Sequence, residues 1–169
     1  MKVAQVVAEE FGVDISSVRI TATTTDKVPN TTPTAASSGS DLNGMAARKA
    51  AAQIRQRMAK LAAKLLQSEA GNLRFSGGQV HAGERSIAFA ELAKQCFLER
   101  ISLSSTGYFA TPKITWDRET STGNPFLYFA FGASCSEVTI DTLTGEMKSE
   151  RVDILHDCGS SLNPAIDIG

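Results

Sequence analysis

The stretch NPFLYFAFGASCSEVTIDTLTGEMKSERVDILHD, Asn124 to Asp157, constrains the architecture most. Two long, mostly alternating runs flank DTLTGE, and Gly145 within it can hold the positive φ that a tight hairpin loop requires. The pattern predicts a β-hairpin with arms near 125–141 and 146–156. The first arm is apolar on both faces from Phe126 to Ala133, which predicts an interior strand covered on each side. A chain that carries such a hairpin needs a second layer to lie against it.

Helical segments are the candidates for that layer. Val3, Val6, Val7 and Phe11 recur at helical spacing and Gly12 can close the helix in the left-handed conformation, predicting a helix over 1–11. From Asp41 to about Gln67 the chain is rich in Ala, Lys, Arg, Gln, Leu and Met. At helical periodicity Ala47, Ala50, Ala51, Ile54, Met58, Leu61 and Leu65 share one arc that faces a core. Arg48, Lys49, Arg55, Arg57, Lys60 and Lys64 lie outside that arc, with no acid between Asp41 and Glu69. Phe89, Leu92, Cys96 and Phe97 predict a third helix over 88–99. Alternation at Val18, Ile20 and Ala22, and again at Ile101, Leu103 and Ser105, predicts strands near 18–24 and 101–109. Residues 68–85, with Gly71, Gly77, Gly78 and Gly83, are expected as a surface insert with a short hairpin around Leu73 to Phe75. The expected fold class is therefore α/β (α+β), three helices layered on one mixed β-sheet. At 169 residues and 18.0 kDa the chain fits part or all of one domain.

Composition excludes several function classes. A hydrophobic share of 42% against 21% charged is ordinary globular usage, neither disordered nor fibrous. No apolar stretch reaches the roughly 20 residues of a membrane span, and no basic segment followed by an apolar block opens the chain. Neither a membrane nor export is expected. Cys96, Cys135 and Cys158 are odd in number, widely spaced and without a CxxC pair, so a disulfide framework, a protein-held zinc or an iron–sulfur cluster is not expected. A reducing cytoplasm is the natural location. A net charge of −1 predicts no bulk attraction to nucleic acid. His81 and His156 are too few to nominate a metal site, and Asp26, Glu137, Asp141, Asp153 and Asp157 show no acid/base spacing. No nucleophile elbow occurs either. The basic helix reads as a solvated face, or as a surface for an acidic partner or a cofactor phosphate.

The most informative loop is VPNTTPTAASSGSD, Val28 to Asp41, which has six hydroxyls between Thr31 and Ser40 and no large side chain. Small residues let the backbone reach contact distance with a ligand. The run ends where a helix must start, leaving N–H groups that point outward with roughly half a positive charge. Ser37, Ser38 and Ser40 can donate hydroxyl hydrogen bonds there. On these grounds alone the loop is either a helix-capping turn or an anion- and ligand-contacting one. The final DCGSSLNPAIDIG is likewise either a second ligand-contacting loop or a chain reversal.

Four blocks in order, VPNTTPTAASSGSDLNGMA, STGYFATP, GNPFLYFAFGASCSEVTIDTLTGE and DILHDCGSSLNPAIDIG, resemble the molybdopterin-binding part of the molybdenum hydroxylases of the xanthine oxidase and aldehyde oxidase family. The resemblance runs from Lys2 to Gly169 and is weakest over 68–85. It implies that Thr34, Ala35, Ala36, Ser37, Ser38, Gly39 and Ser40 line a molybdenum–molybdopterin cofactor, with Ala35 and Ala36 also bordering the substrate pocket. It implies that the cofactor's dithiolene sulfurs hold the metal, so no side chain here need be a ligand. A purine substrate is implied, with an aldehyde or another aromatic as the near alternative. Electrons would leave through 2Fe–2S clusters to FAD and NAD on partner domains or subunits of an enzyme that is a dimer or larger. The glutamate that serves as base is placed beyond Gly169 and a glycine- and glutamine-containing cofactor loop before Met1, so no residue in this chain is expected to be catalytic. A truncated, non-catalytic remnant is the reading from another class.

Overall fold

The computed structural model describes residues 1–22, 24, 26, 27, 34 and 38–168. They fall into two compact units, Met1–Ala110 and Thr111–Gly169.

The first unit opens with α1 (Lys2–Phe11), whose C-cap Gly12 takes φ 62° and returns its N–H to the carbonyls of Ala8 and Glu9. A π-helical turn at Gly39–Asn43 leads without a break into α2 (Gly44–Leu65). Three short strands follow, β1 (Arg74–Ser76), β2 (Gln79–Ala82) and β3 (Arg85–Ala88), in an antiparallel sheet ordered β1-β2-β3, and α3 (Phe89–Leu98) closes the set. The register is Phe75 opposite Val80 and Val80 opposite Ile87. Met58, Ala62 and Leu66 from the α2 end, Leu73, Phe75 and Val80 from the sheet, and Leu92 and Cys96 from α3 form one buried cluster. Burial pushes the Cys96 thiol pKa up, so this cysteine packs as a small hydrophobe.

The three predicted helices are therefore present, and the α/β class holds. The last turn of α2 is rotated from expectation: Leu65 is exposed while Ala62 and Leu66 are buried. The segment 68–85, expected as a surface insert, delivers Leu73, Phe75 and Val80 into the core. The short hairpin expected around Leu73 to Phe75 is present as β1 and β2, and Gly77 and Gly78 occupy the positive-φ turn between them.

Two predicted strands do not form. Val18 to Ala22 joins no sheet, and Ile20 is 61% exposed. Residues 101–109 are also unpaired with any strand. They run along α2: Arg57 Nη2 donates to Ser104 O at 2.9 Å and Ser105 Oγ to Gln53 Oε1 at 2.8 Å. Ser105, Gly107 and Phe109 are half-buried while Thr106 and Tyr108 are exposed, so the period of two is real. Its partner is a helix, which alternation cannot distinguish from a strand.

The second unit contains a small hairpin, β4 (Thr115–Asp117) with β5 (Thr122–Asn124), the long hairpin β6 (Phe131–Ile140) with β7 (Met147–Asp157), and a terminal turn α4 (Pro164–Ile168). The long hairpin was legible in the sequence and pairs antiparallel from Phe131 opposite Asp157 to Ile140 opposite Met147, with a register shift at Glu137/Val138. All three sheets are antiparallel and separate, rather than one mixed sheet. The first arm begins at Phe131, not 125, and is not an interior strand: Phe126, Tyr128, Phe129 and Phe131 are each at least 60% exposed. Apolar patterning states where water is unfavourable; no described residue of this unit supplies the cover.

The Asp141 carboxylate accepts the N–H groups of Leu143 at 2.8 Å and Thr144 at 3.2 Å, and these bonds lower its pKa. A depressed native pKa stabilises the loop above the ordinary aspartate value, and that contribution is lost as pH falls through the native one. Hydrogen exchange over 141–146, corrected for intrinsic rates, should be unchanged from neutral pH to about pH 5 and faster below about pH 4. Asp141→Asn should remove this pH dependence.

Candidate functional site

The described part of the small-residue loop is Thr34 and the run from Ser38 onward; Ala35, Ala36 and Ser37 lie outside the described residues. Thr34 is tied back to the helix start twice. Asn43 Nδ2 donates to Thr34 Oγ1 at 3.1 Å, and a methyl added at Gly39 would stand 2.9 Å from Thr34 Cγ2. The Asn43 side chain thus ties Thr34 to the helix start, and glycine at 39 leaves room for that contact. Asn43→Ala should cost about 1 kcal/mol through loss of that hydrogen bond, read as a lower melting temperature.

Gly39 and Ser40 begin the π-helical turn, so their N–H groups precede any intrahelical acceptor. Ser38 O accepts the Leu42 N–H at 3.0 Å, and Asp41 Oδ1 accepts the same N–H at 3.0 Å. The helix start therefore presents hydroxyls and main-chain donors, with the Asp41 carboxylate already answering part of its positive end. A neutral ligand edge that both gives and accepts hydrogen bonds fits this donor set better than a second full negative charge. Gly44, one residue into α2, faces Val6 of α1 closely enough that an added methyl would meet Val6 Cγ2 at 3.7 Å.

The basic face of α2 is largely used within the chain. Arg48 and Arg55 pair with Glu10 at 3.5 and 3.3 Å, and Arg55 also lies over the Phe75 ring at 4.8 Å. Arg57 reaches Gln53 O and Ser104 O, and Lys49 stands 5.2 Å from the centre of the Phe109 ring. Lys60 and Lys64 are exposed. The helix cations thus serve packing first. His81 Nε2 lies 3.3 Å from Ser76 O, whereas His156 lies on β7 opposite Gly132, in the other unit. Among the described residues no group of three or more His, Cys, Asp or Glu is arranged to hold a metal ion. No helix among them is long and apolar enough to cross a membrane.

The fold is shared with large oxidoreductases. The chain superposes on quinoline 2-oxidoreductase from Pseudomonas putida 86 with a TM-score of 0.71 and 25% identity, covering 99% of this chain and 21% of that one. On CO dehydrogenase from Oligotropha carboxidovorans the TM-score is 0.73 with 26% identity, covering 98% and 20%. The chain belongs to the molybdopterin cofactor-binding domain family, whose profile matches residues 1–169. It is 47% identical over 168 residues to a xanthine dehydrogenase of Oryza sativa subsp. japonica and 45% identical over 171 residues to one of Dictyostelium discoideum. Each of these alignments covers 99% of this chain, which spans 11% of the length of either relative.

Proposed function

We propose that this chain is the cofactor-lining portion of a xanthine dehydrogenase, a molybdenum hydroxylase acting on purines. The observation that carries the reading is the identity of 45–47% to two xanthine dehydrogenases across 99% of the chain, well above the 25% to quinoline 2-oxidoreductase on the same fold. When bound, the molybdenum centre supplies hydroxylation of an electron-poor purine carbon with oxygen from water, its electrons passing through 2Fe–2S clusters to FAD and NAD on partner domains or subunits. The enzyme is cytoplasmic and a dimer or larger assembly.

The residues of this chain bind and shape. Thr34, Ala35, Ala36, Ser37, Ser38, Gly39 and Ser40 line the cofactor, and Ala35 and Ala36 also border the substrate. Small side chains at these positions leave the main chain bare for a rigid tricyclic ring and a flat purine to approach together. The hydroxyl and N–H groups of Ser38, Gly39 and Ser40 meet the polar pterin edge, and Asp41 makes this helix start a poor place for the cofactor phosphate. None of these groups is assigned a proton transfer in the reaction.

The test is molybdenum stoichiometry of the purified full-length protein, together with uptake of ¹⁸O from labelled water into urate. One molybdenum per chain and labelled product are expected. A metal-free protein, or one that oxidises aldehydes and leaves xanthine untouched, would overturn the assignment. Residues 1–169 purified alone should retain no molybdenum and turn over no xanthine.

A further inference from the structure

We infer that residues 104–109 form a strap that holds the start of α2 in place, with Gly107 as the residue that positions the cofactor-facing Ser38–Ser40. The inference rests on the functional reading above and extends it to a segment outside the cofactor loop.

The strap runs along α2 from Arg57 towards its beginning. Ser104 O takes the Arg57 guanidinium at 2.9 Å, Ser105 Oγ reaches Gln53 Oε1 at 2.8 Å, and the Phe109 ring receives Lys49 Nζ at 5.2 Å. Between these ties Gly107 sits directly on the helix backbone. A methyl placed there would overlap the Ala46 carbonyl and come within 2.8 Å of Ala50 N. Gly107 does not appear among the positive-φ glycines, so its requirement is space alone. Ala46 lies two residues into α2, which continues directly from the π-helical turn at Gly39–Asn43. A helix moves as a rigid body over so few residues. Any side chain at 107 must therefore lift the strap or displace the helix start by more than about 1 Å to restore ordinary van der Waals separation. Cofactor contacts tolerate displacements of only about 0.5 Å. The contact is backbone on backbone, so no rotamer change can relieve it.

The experiment uses the full-length enzyme with Gly107→Ala, Arg57→Ala and, as a distant control, Val80→Ala. Val80 is fully buried in the sheet, opposite Phe75 and Ile87, and makes none of the four strap contacts named above. Two quantities are read: molybdenum per purified chain, and amide hydrogen exchange over 38–46 compared with 58–66. Gly107→Ala is expected to lower molybdenum by about threefold or more and to speed exchange selectively at 38–46, with Arg57→Ala giving a smaller change in the same direction. Val80→Ala is expected to lower the melting temperature and to speed exchange at 58–66, where its cluster partners Met58, Ala62 and Leu66 lie, while leaving molybdenum content and exchange at 38–46 as in the wild type. If Gly107→Ala fails to accumulate, the Arg57→Ala result decides. Wild-type exchange at 38–46 in the strap variants, or molybdenum loss in Val80→Ala matching that in Gly107→Ala at equal loss of melting temperature, would overturn the strap. A wild-type enzyme devoid of molybdenum would sink the functional reading instead, and exchange at 38–46 would still decide the strap.

Discussion

Ala36→Leu in the full-length enzyme is expected to reduce xanthine turnover by about 100-fold or more, with little change in melting temperature. Thr34, two positions before Ala36, is fastened to Asn43 at 3.1 Å and crowded by Gly39. Leucine at 36 adds three carbons close in sequence to that tie. Under the proposed function the groups nearest residue 36 are a fused ring system and a planar purine, neither of which can bend away. The added bulk must then displace the cofactor, the substrate or both. Molybdenum analysis separates the two: low metal content locates the clash at the cofactor, and full metal with poor turnover locates it at the purine. Unaltered kinetics at full occupancy would remove residue 36 from the pocket.

Gly12→Val should unfold the first unit, with an expected loss of about 4 kcal/mol or more against the 5–15 kcal/mol that native domains possess. Two independent penalties coincide. Residue 12 has φ 62°, a conformation that costs an L side chain about 1–2 kcal/mol and a β-branched one more. In addition, a Cβ there would overlap the Phe75 carbonyl and lie 2.5 Å from Ser76 N. Moving the chain apart to relieve that contact would also break the bond from Gly78 N–H to Gly12 O at 2.7 Å. Gly78 provides the comparison, since it has φ 74° with nothing within 4 Å of an added methyl. Gly78→Ala should cost only the conformational part, about 1–2 kcal/mol. Denaturant melts of Gly12→Ala beside Gly78→Ala, which share the same side chain, measure the steric share directly; equal losses would show that the contact with β1 contributes nothing.

The parts of the fold that could be read in advance share one property: their signal is complete within a short window. α1 carries its own apolar stripe and its own glycine stop, and the DTLTGE loop contains both the Asp141 carboxylate and the positive-φ Gly145 that shape it. What could not be read involved a partner distant in sequence. Residues 101–109 have genuine alternation, yet the surface they cover is α2, more than 40 residues earlier. The run from Phe126 to Ala133 is apolar on both faces and stands in water within its own unit. The strap itself left no sequence signal, because Gly107 looks like any loop glycine until the Ala46 carbonyl is seen beneath it.

The candidate site divides in the same way. Its composition, a run of small and hydroxylated residues ahead of a long helix, is a property of the chain alone and fits either a helix-capping turn or close backbone approach by a ligand. The clamp from Asn43 to Thr34, the acid that answers the helix start, and the engagement of Arg48, Arg55 and Arg57 inside the chain emerged only from the folded arrangement. Local backbone preference and hydrophobic period act over a few residues and are written in order along the polypeptide. Contacts between segments depend on which surfaces remain uncovered once those local elements have formed, and that competition is decided in three dimensions.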